Sequence, residues 1–194
     1  GLRSAYLITG TEPLLIGEAA VAVRQAARAA GYADREVHFI ERGFDWDEVL
    51  RDAANLSLFA ARRLIELKFN SAPDAESQRA LAGLAAQPPA DTVLLVTGEL
   101  ERKSLATNWV KAFEEHGVLV ITQPVARGAL PGWIRDRLAG QGVQIAPAAT
   151  ELLADRVEGN LLAAQQEVER IVLLMPGATL GVEDVAALVA DIAR

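Results

Sequence analysis

The chain opens on a short apolar run, Ala5-Tyr6-Leu7-Ile8-Thr9, closed by Gly10 and followed by Thr11-Glu12-Pro13. From there to about Ala30 apolar positions recur at helical spacing: Leu15, Ala19, Ala22 and Ala26 fall at i, i+4, i+7 and i+11, a stripe suited to lying on a sheet. Pro13 suits the first helical turn, where its missing N–H costs nothing, and Gly31 suits the far end. A second strand is expected over Val37 to Ile40. Asp45 to Ala54 then reads as a helix, with Asp45 as N-cap and Glu48 three residues on completing a capping-box pattern. Arg62 to Phe69, with apolar Leu64, Ile65, Leu67 and Phe69, reads as the next strand. A helix near Ala75 to Ala86 leads to Thr92-Val93-Leu94-Leu95-Val96-Thr97, continuously apolar at its centre as a buried parallel strand should be. A helix from about Leu105 to Glu115, stopped by Gly117, and a strand over Val118 to Thr122 complete the alternation.

Strands alternating with helices predict an α/β layer with a largely parallel sheet. After Pro124 the pattern changes to helical segments at about Leu130 to Ala139, Ala148 to Glu158, Leu161 to Leu174 and Val182 to Ala193, with Gly142 to Ile145 a brief extended link. This predicts a small all-helical second domain, residues 126–194 after an α/β domain of residues 1–125. In its third helix Leu161, Gln165, Val168, Val172 and Met175 are expected on one face, Asn160 as N-cap and Gly159 as the C′ residue of the helix before. Between the Asp45 helix and the Arg62 strand, Asn55-Leu56-Ser57-Leu58-Phe59-Ala60 departs from any core-forming period, so Leu58 and Phe59 either tuck into the core or project from a corner.

Composition narrows the classes. Of 194 residues 51% are apolar, enough for one good core or two smaller ones, and the formal charge of −7 repels phosphate backbones, which argues against a general nucleic-acid binder. Cysteine is absent, which excludes disulfides and thiol chemistry and suits a reducing compartment. No signal peptide or span of about twenty apolar residues is present, so a soluble cytoplasmic protein without membrane partners is expected. The start at Gly1 and the end inside a helical pattern read as a piece of a longer chain.

The strand, Gly-containing loop and helix at the amino end invite a phosphate-binding reading. A P-loop needs G-x-x-x-x-G-K-[ST], and counting from Gly10 the last three places hold Leu15, Ile16 and Gly17. Glu12 adds repulsion. The apolar strand ends in Thr97-Gly98-Glu99, which leaves Glu99 as a weak candidate for a magnesium ligand. His38 and His116 lack a second His or Cys at ligand spacing, so no metal or cofactor is expected. Asp45, Asp47 and Glu48 are better explained as helix-start residues than as paired catalytic carboxylates. Ser57 is not in a nucleophile elbow, and the basic pairs Arg62-Arg63 and Arg102-Lys103, interleaved with acids, read as solvated surface.

Two stretches together carry a family resemblance. Asn55-Leu56-Ser57-Leu58-Phe59-Ala60-Ala61-Arg62-Arg63 before a strand, and Glu158-Gly159-Asn160-Leu161-Leu162 opening a helix, resemble the delta subunits of the bacterial DNA polymerase III clamp loader, as does the opening Tyr6 to Ile16 with its eroded P-loop. The resemblance runs through the whole chain in order. It implies an AAA+ module, a RecA-like α/β domain followed by a small helical lid, with the collar domain that assembles the loader missing here. It implies no catalysis and no ATP binding or hydrolysis; an atypical P-loop NTPase with a degenerate site is the alternative, and a DNA-binding module a third reading. It implies that Leu56, Ser57, Leu58 and Phe59 form the element that binds the sliding clamp (the beta subunit), Leu58 and Phe59 being the plug. Clamp-binding peptides often carry Gln where this chain has Asn55. The other implied partners are the gamma/tau and delta prime subunits, met mainly through the collar domain, and DNA within the assembled complex only.

Overall fold

In a computed structural model that describes residues 1–47, 49, 62–157 and 159–190, the chain divides into two compact units, Gly1–Gln123 and Pro124–Arg194. In the first, β1 (Ala5–Gly10), α1 (Pro13–Ala29), β2 (Asp34–Ile40), β3 (Arg63–Phe69), α2 (Ala75–Ala86), β4 (Thr92–Glu99), α3 (Asn108–His116) and β5 (Val118–Thr122) alternate along the chain. The five strands pair in parallel in the order β2-β3-β4-β1-β5. The parallel sheet read from the alternation is therefore present, and the uninterrupted apolar run of β4 lies at its centre, between β3 and β1.

Alternate side chains build two cores. Ala5, Leu7, Ile65, Leu67, Phe69, Leu94 and Val96 face Leu81 and Leu84 of α2 and Trp109, Val110 and Phe113 of α3, with Trp46 joining them from the crossover between β2 and β3. Tyr6, Ile8, Leu64, Val93 and Leu95 face Ile16, Ala20 and Ala27 of α1. The expected stripe of α1 is out of phase by one residue: Ile16, Ala20, Val23 and Ala27 keep the i, i+4, i+7, i+11 spacing, while Ala22 and Ala26 are exposed. In a helix this rich in alanine the larger Ile16 and Val23 set the buried face, since they remove most apolar area from water.

Other boundaries move for local reasons. β2 begins at Asp34, three residues before the expected Val37, because its charged first residues are tolerated on an edge strand. The expected helix over Leu105 to Glu115 is a 3-10 turn, Arg102–Ala106, and then α3, with an extended Thr107 between them whose hydroxyl donates to the Ser104 carbonyl at 2.7 Å. Gly117 ends α3 as expected, and it is a glycine because a Cβ there would sit 2.6 Å from the Ala5 carbonyl oxygen. Asp74, the N-cap of α2, accepts from the Ser77 amide at 2.9 Å, which holds its carboxyl below its ordinary pKa.

The second unit holds α4 (Leu130–Gly140), α5 (Pro147–Arg156), α6 (Leu161–Leu174) and α7 (Val182–Ala190). It is not all-helical. Gln144–Ile145 (β6) pairs in parallel with Thr179–Leu180 (β7), two-residue strands too short to announce themselves by alternation. Asn160 caps α6 as expected, accepting from the Ala163 amide at 3.0 Å, and Gly159 takes φ +81° beyond the cap Val157 of α5. The buried face of α6 is Leu161, Ala164, Val168 and Ile171; Gln165, Val172 and Met175 stand half-exposed beside it.

Candidate functional site

In a parallel sheet the carboxyl ends of the strands bound a crevice where consecutive connections diverge, and ligands settle there. Here β1 stands between β4 and β5, so that place lies beyond Gly10, Glu99 and Thr122. The link from β1 to α1 is only Thr11 and Glu12. A phosphate-wrapping loop needs a longer excursion between its strand and its helix. Gly10 takes φ +134° and packs so closely on Thr122 that a Cβ would overlap the Thr122 carbonyl. The Leu100 amide donates to the Gly10 carbonyl at 3.0 Å, and the Thr122 hydroxyl reaches the carbonyl oxygens of Thr9 at 3.3 Å and Glu12 at 3.4 Å. These bonds fasten the backbone across the gap between β4, β1 and β5. Gly10→Ala is therefore expected to cost about 2 kcal/mol or more, from overpacking and backbone strain together, measurable as a lowered chemical-denaturation midpoint.

The start of α1 is also occupied. Pro13 has no amide to offer, and the Leu14 amide is taken by the Glu12 carboxylate at 3.3 Å. Where a P-loop sets its lysine, Ile16 is buried among Tyr6, Ile8 and Leu95; Leu15 is half-buried and Gly17 exposed. Glu99 is exposed at the end of β4.

Beside this closed gap, on the α1 side of the sheet, is a crevice of about 350 Å³ lined by Ile16, Gly17, Arg24, Glu66, Lys68 and Glu99, among others. Its floor holds a feature the sequence reading missed: Glu66 of β3, with a side chain 0% exposed. Arg35 of β2 donates to one carboxylate oxygen from Nε at 2.9 Å and Nη2 at 2.6 Å; Arg24 of α1 donates to the other at 2.9 Å, and Lys68 Nζ lies 3.3 Å from it. Burial by itself pushes the Glu66 pKa up; the Arg35 hydrogen bond and the charges of Lys68, Arg24 and Arg35 outweigh it and hold the carboxyl below its ordinary value. One acid inside the run Leu64-Ile65-Glu66-Leu67 was the available signal, since a charge in a central strand is buried only when paired.

Of the other sequence candidates, Leu56, Ser57, Leu58 and Phe59, together with Asn55, Glu48 and Glu158, lie outside the described residues. Asp45 accepts from the Asp47 amide at 3.0 Å, a helix-start contact. His38 meets the Phe44 ring edge-on at 6.3 Å between centroids and lies 3.8 Å from Glu36, while His116 lies 3.9 Å from Glu115. Among the described residues no three or more His, Cys, Asp or Glu side chains gather as a metal site, and no helix is long and apolar enough to cross a membrane. Of the basic pairs, Arg63 is half-buried against Glu36 at 3.4 Å and the Arg62 guanidinium lies 5.7 Å over the Tyr32 ring, whereas Lys103 is exposed and pairs with Glu101 at 2.8 Å.

Comparison with known proteins adds a family. A family model described as DNA polymerase III, delta subunit, matches residues 6–123. The DNA polymerase III subunit delta of Escherichia coli strain K12 is 34% identical over 196 residues, covering 100% of this chain and 57% of that protein. That of Haemophilus influenzae is 24% identical, covering 97% of this chain and 56% of the relative. The chain thus spans a little over half the length of these relatives. Among solved structures, the Bacillus subtilis DNA clamp loader delta protein superposes with a TM-score of 0.69 at 19% identity, over 96% of this chain and 58% of that one. The Thermotoga maritima RuvB Holliday junction branch migration motor gives 0.51 at 16%, over 95% and 60%. At those identities the likeness is one of fold, shared with clamp-loader delta and RuvB-type AAA+ proteins.

Proposed function

The chain belongs to the DNA polymerase III delta subunit family, and from that membership we propose that it is the clamp-loader subunit that binds the sliding clamp and opens the ring, without binding or hydrolysing ATP. Family membership over residues 6–123 carries the proposal. Leu56, Ser57, Leu58 and Phe59 are the clamp-binding element, with Leu58 and Phe59 entering an apolar pocket of the clamp. Residues 1–125 act as the RecA-like domain that presents this element, and residues 126–194 as its lid. The remaining length seen in the relatives supplies the collar, through which the gamma/tau and delta prime subunits are met. DNA is approached only inside that assembly, in the bacterial cytoplasm.

Opening needs no bond chemistry. A protein opens a ring when it binds the open or relaxed interface more tightly than the closed one, and the shift it achieves is limited by that difference in affinity. Two large apolar side chains adjacent in the sequence, Leu58 and Phe59, provide the anchor such differential binding requires. The deciding experiment is binding of the cognate clamp by the wild-type chain and by Leu58→Ala/Phe59→Ala.

The absence of a nucleotide step is supported by the two-residue link between β1 and α1, by Ile16 at the lysine place and by Glu12 on the first free amide. Calorimetric titration with Mg-ATP is expected to give no heat of binding at micromolar nucleotide. A micromolar site would favour the alternative, an atypical NTPase.

A further inference from the structure

Among the described residues, the α1 side of the sheet is only partly covered. α1 packs chiefly against β4 and β1, leaving the strip over β3 and the edge strand β2 open beside it. By the register of β2 and β3, Arg35, Val37 and Phe39 lie opposite Leu64, Glu66 and Lys68 on this face. Phe39 is 55% exposed and Val37 38%, two apolar side chains in line on an edge strand. Lys68 Nζ stands 6.0 Å from the Phe39 ring centroid, and beyond Lys68 the strip runs into the crevice between α1 and the ends of β3 and β4.

The charge of the strip is opposite to that of the chain. Arg24, Arg35 and Lys68 surround the single carboxylate of Glu66, so three cations against one anion leave an excess of two, in a chain whose net charge is −7. Glu99 offsets one of these at the far end of the crevice, which concentrates the excess between Arg35 and Lys68. Each of the three cations keeps between 27% and 45% of its side chain in solvent. They can therefore take a second anion without releasing Glu66.

We propose that this strip, from Val37 and Phe39 to Arg24 and Lys68, docks an acidic segment of a partner protein that also carries an apolar side chain. The apolar group covers Phe39 and Val37, and the carboxylates meet the cations that Glu66 leaves uncompensated, a complementarity that fixes orientation and speeds association. The net charge of the chain disfavours a nucleic-acid occupant at the same place. The residues that line this strip are distinct from Leu56, Ser57, Leu58 and Phe59, and Trp46 of the crossover between β2 and β3 packs on the opposite face of the sheet.

The test is fluorescence anisotropy with the whole chain and three labelled probes: a peptide of alternating glutamate and phenylalanine, the same peptide with lysine for glutamate, and oligo-deoxythymidine. The acidic peptide is expected to bind best, to weaken as salt rises, and to lose about tenfold in affinity with Phe39→Ser and again with Lys68→Ala, the loss expected of interface anchors. Both positions are partly exposed, and thermal unfolding checks each variant; Val37→Ser repeats the test at the second exposed apolar side chain of the strip. Equal binding of the basic peptide, preference for the oligonucleotide, indifference to all three variants, or no binding of the acidic peptide would each overturn the proposal.

Discussion

Leu58→Ala/Phe59→Ala is expected to weaken binding of the cognate sliding clamp by about two to three orders of magnitude while leaving the chain folded. Truncating a buried anchor at an interface costs about 2 kcal/mol or more, and about 1.4 kcal/mol is tenfold in affinity. Two adjacent anchors filling one pocket do not add fully, so the loss is expected below the sum of the single variants. Single substitutions make the distinction sharper: Phe59→Ala should lose more than Leu58→Ala, because the larger ring removes more apolar area. The readout is an equilibrium titration against labelled clamp, with the unfolding midpoint of each variant measured alongside. If the double variant binds as tightly as the wild type, the plug assignment fails. If it binds weakly but also melts early, Leu58 and Phe59 are core residues, the other reading that the sequence allowed.

The fold was legible where the pattern had only one solution. The apolar run Thr92 to Thr97 could be neither a half-exposed strand nor an amphipathic helix, and it is the central strand β4. The alternation of elements likewise leads to a parallel sheet. The phase of α1 was not legible, because alanines on every side let Leu15, Ala19, Ala22 and Ala26 compete with Ile16, Ala20, Val23 and Ala27 at the same spacing. The pair β6 and β7 escaped because two residues carry no period, and its register is set by bonds such as Gln144 N–H to the Ala178 carbonyl. In the amino-terminal loop, the missing glycine, lysine and hydroxyl were plain in the sequence. The further obstacles, the Leu100 to Gly10 bond and the close approach of Thr122, join residues far apart in the chain. Glu66 was hidden for the same reason: its partners Arg35 and Arg24 lie 31 and 42 residues away, and no local pattern ties a strand acid to arginines at those distances.

Glu66→Gln tests the electrostatic floor on which the open face rests. The substitution keeps the shape and removes the charge, taking from Arg24, Arg35 and Lys68 the carboxylate they share. Breaking a buried ion pair costs about 3–5 kcal/mol when the abandoned charge stays buried. Here all three cations have solvent access, which screens them, so about 2–3 kcal/mol is expected. The same carboxylate gives stability a pH dependence whose sign follows from its lowered pKa. A group held below its ordinary value of 4.5 contributes fully above that value. The contribution is lost as pH falls from there through the folded-state pKa, because the unfolded chain binds the proton first. Wild type and Glu66→Gln should therefore differ most at neutral pH and converge as pH falls below the ordinary value of 4.5 and through the lowered folded-state pKa, as read from denaturation midpoints across that range. A constant difference down to the lowest pH would mean that Glu66 acts through packing, and that the positive strip beside α1 owes nothing to its charge.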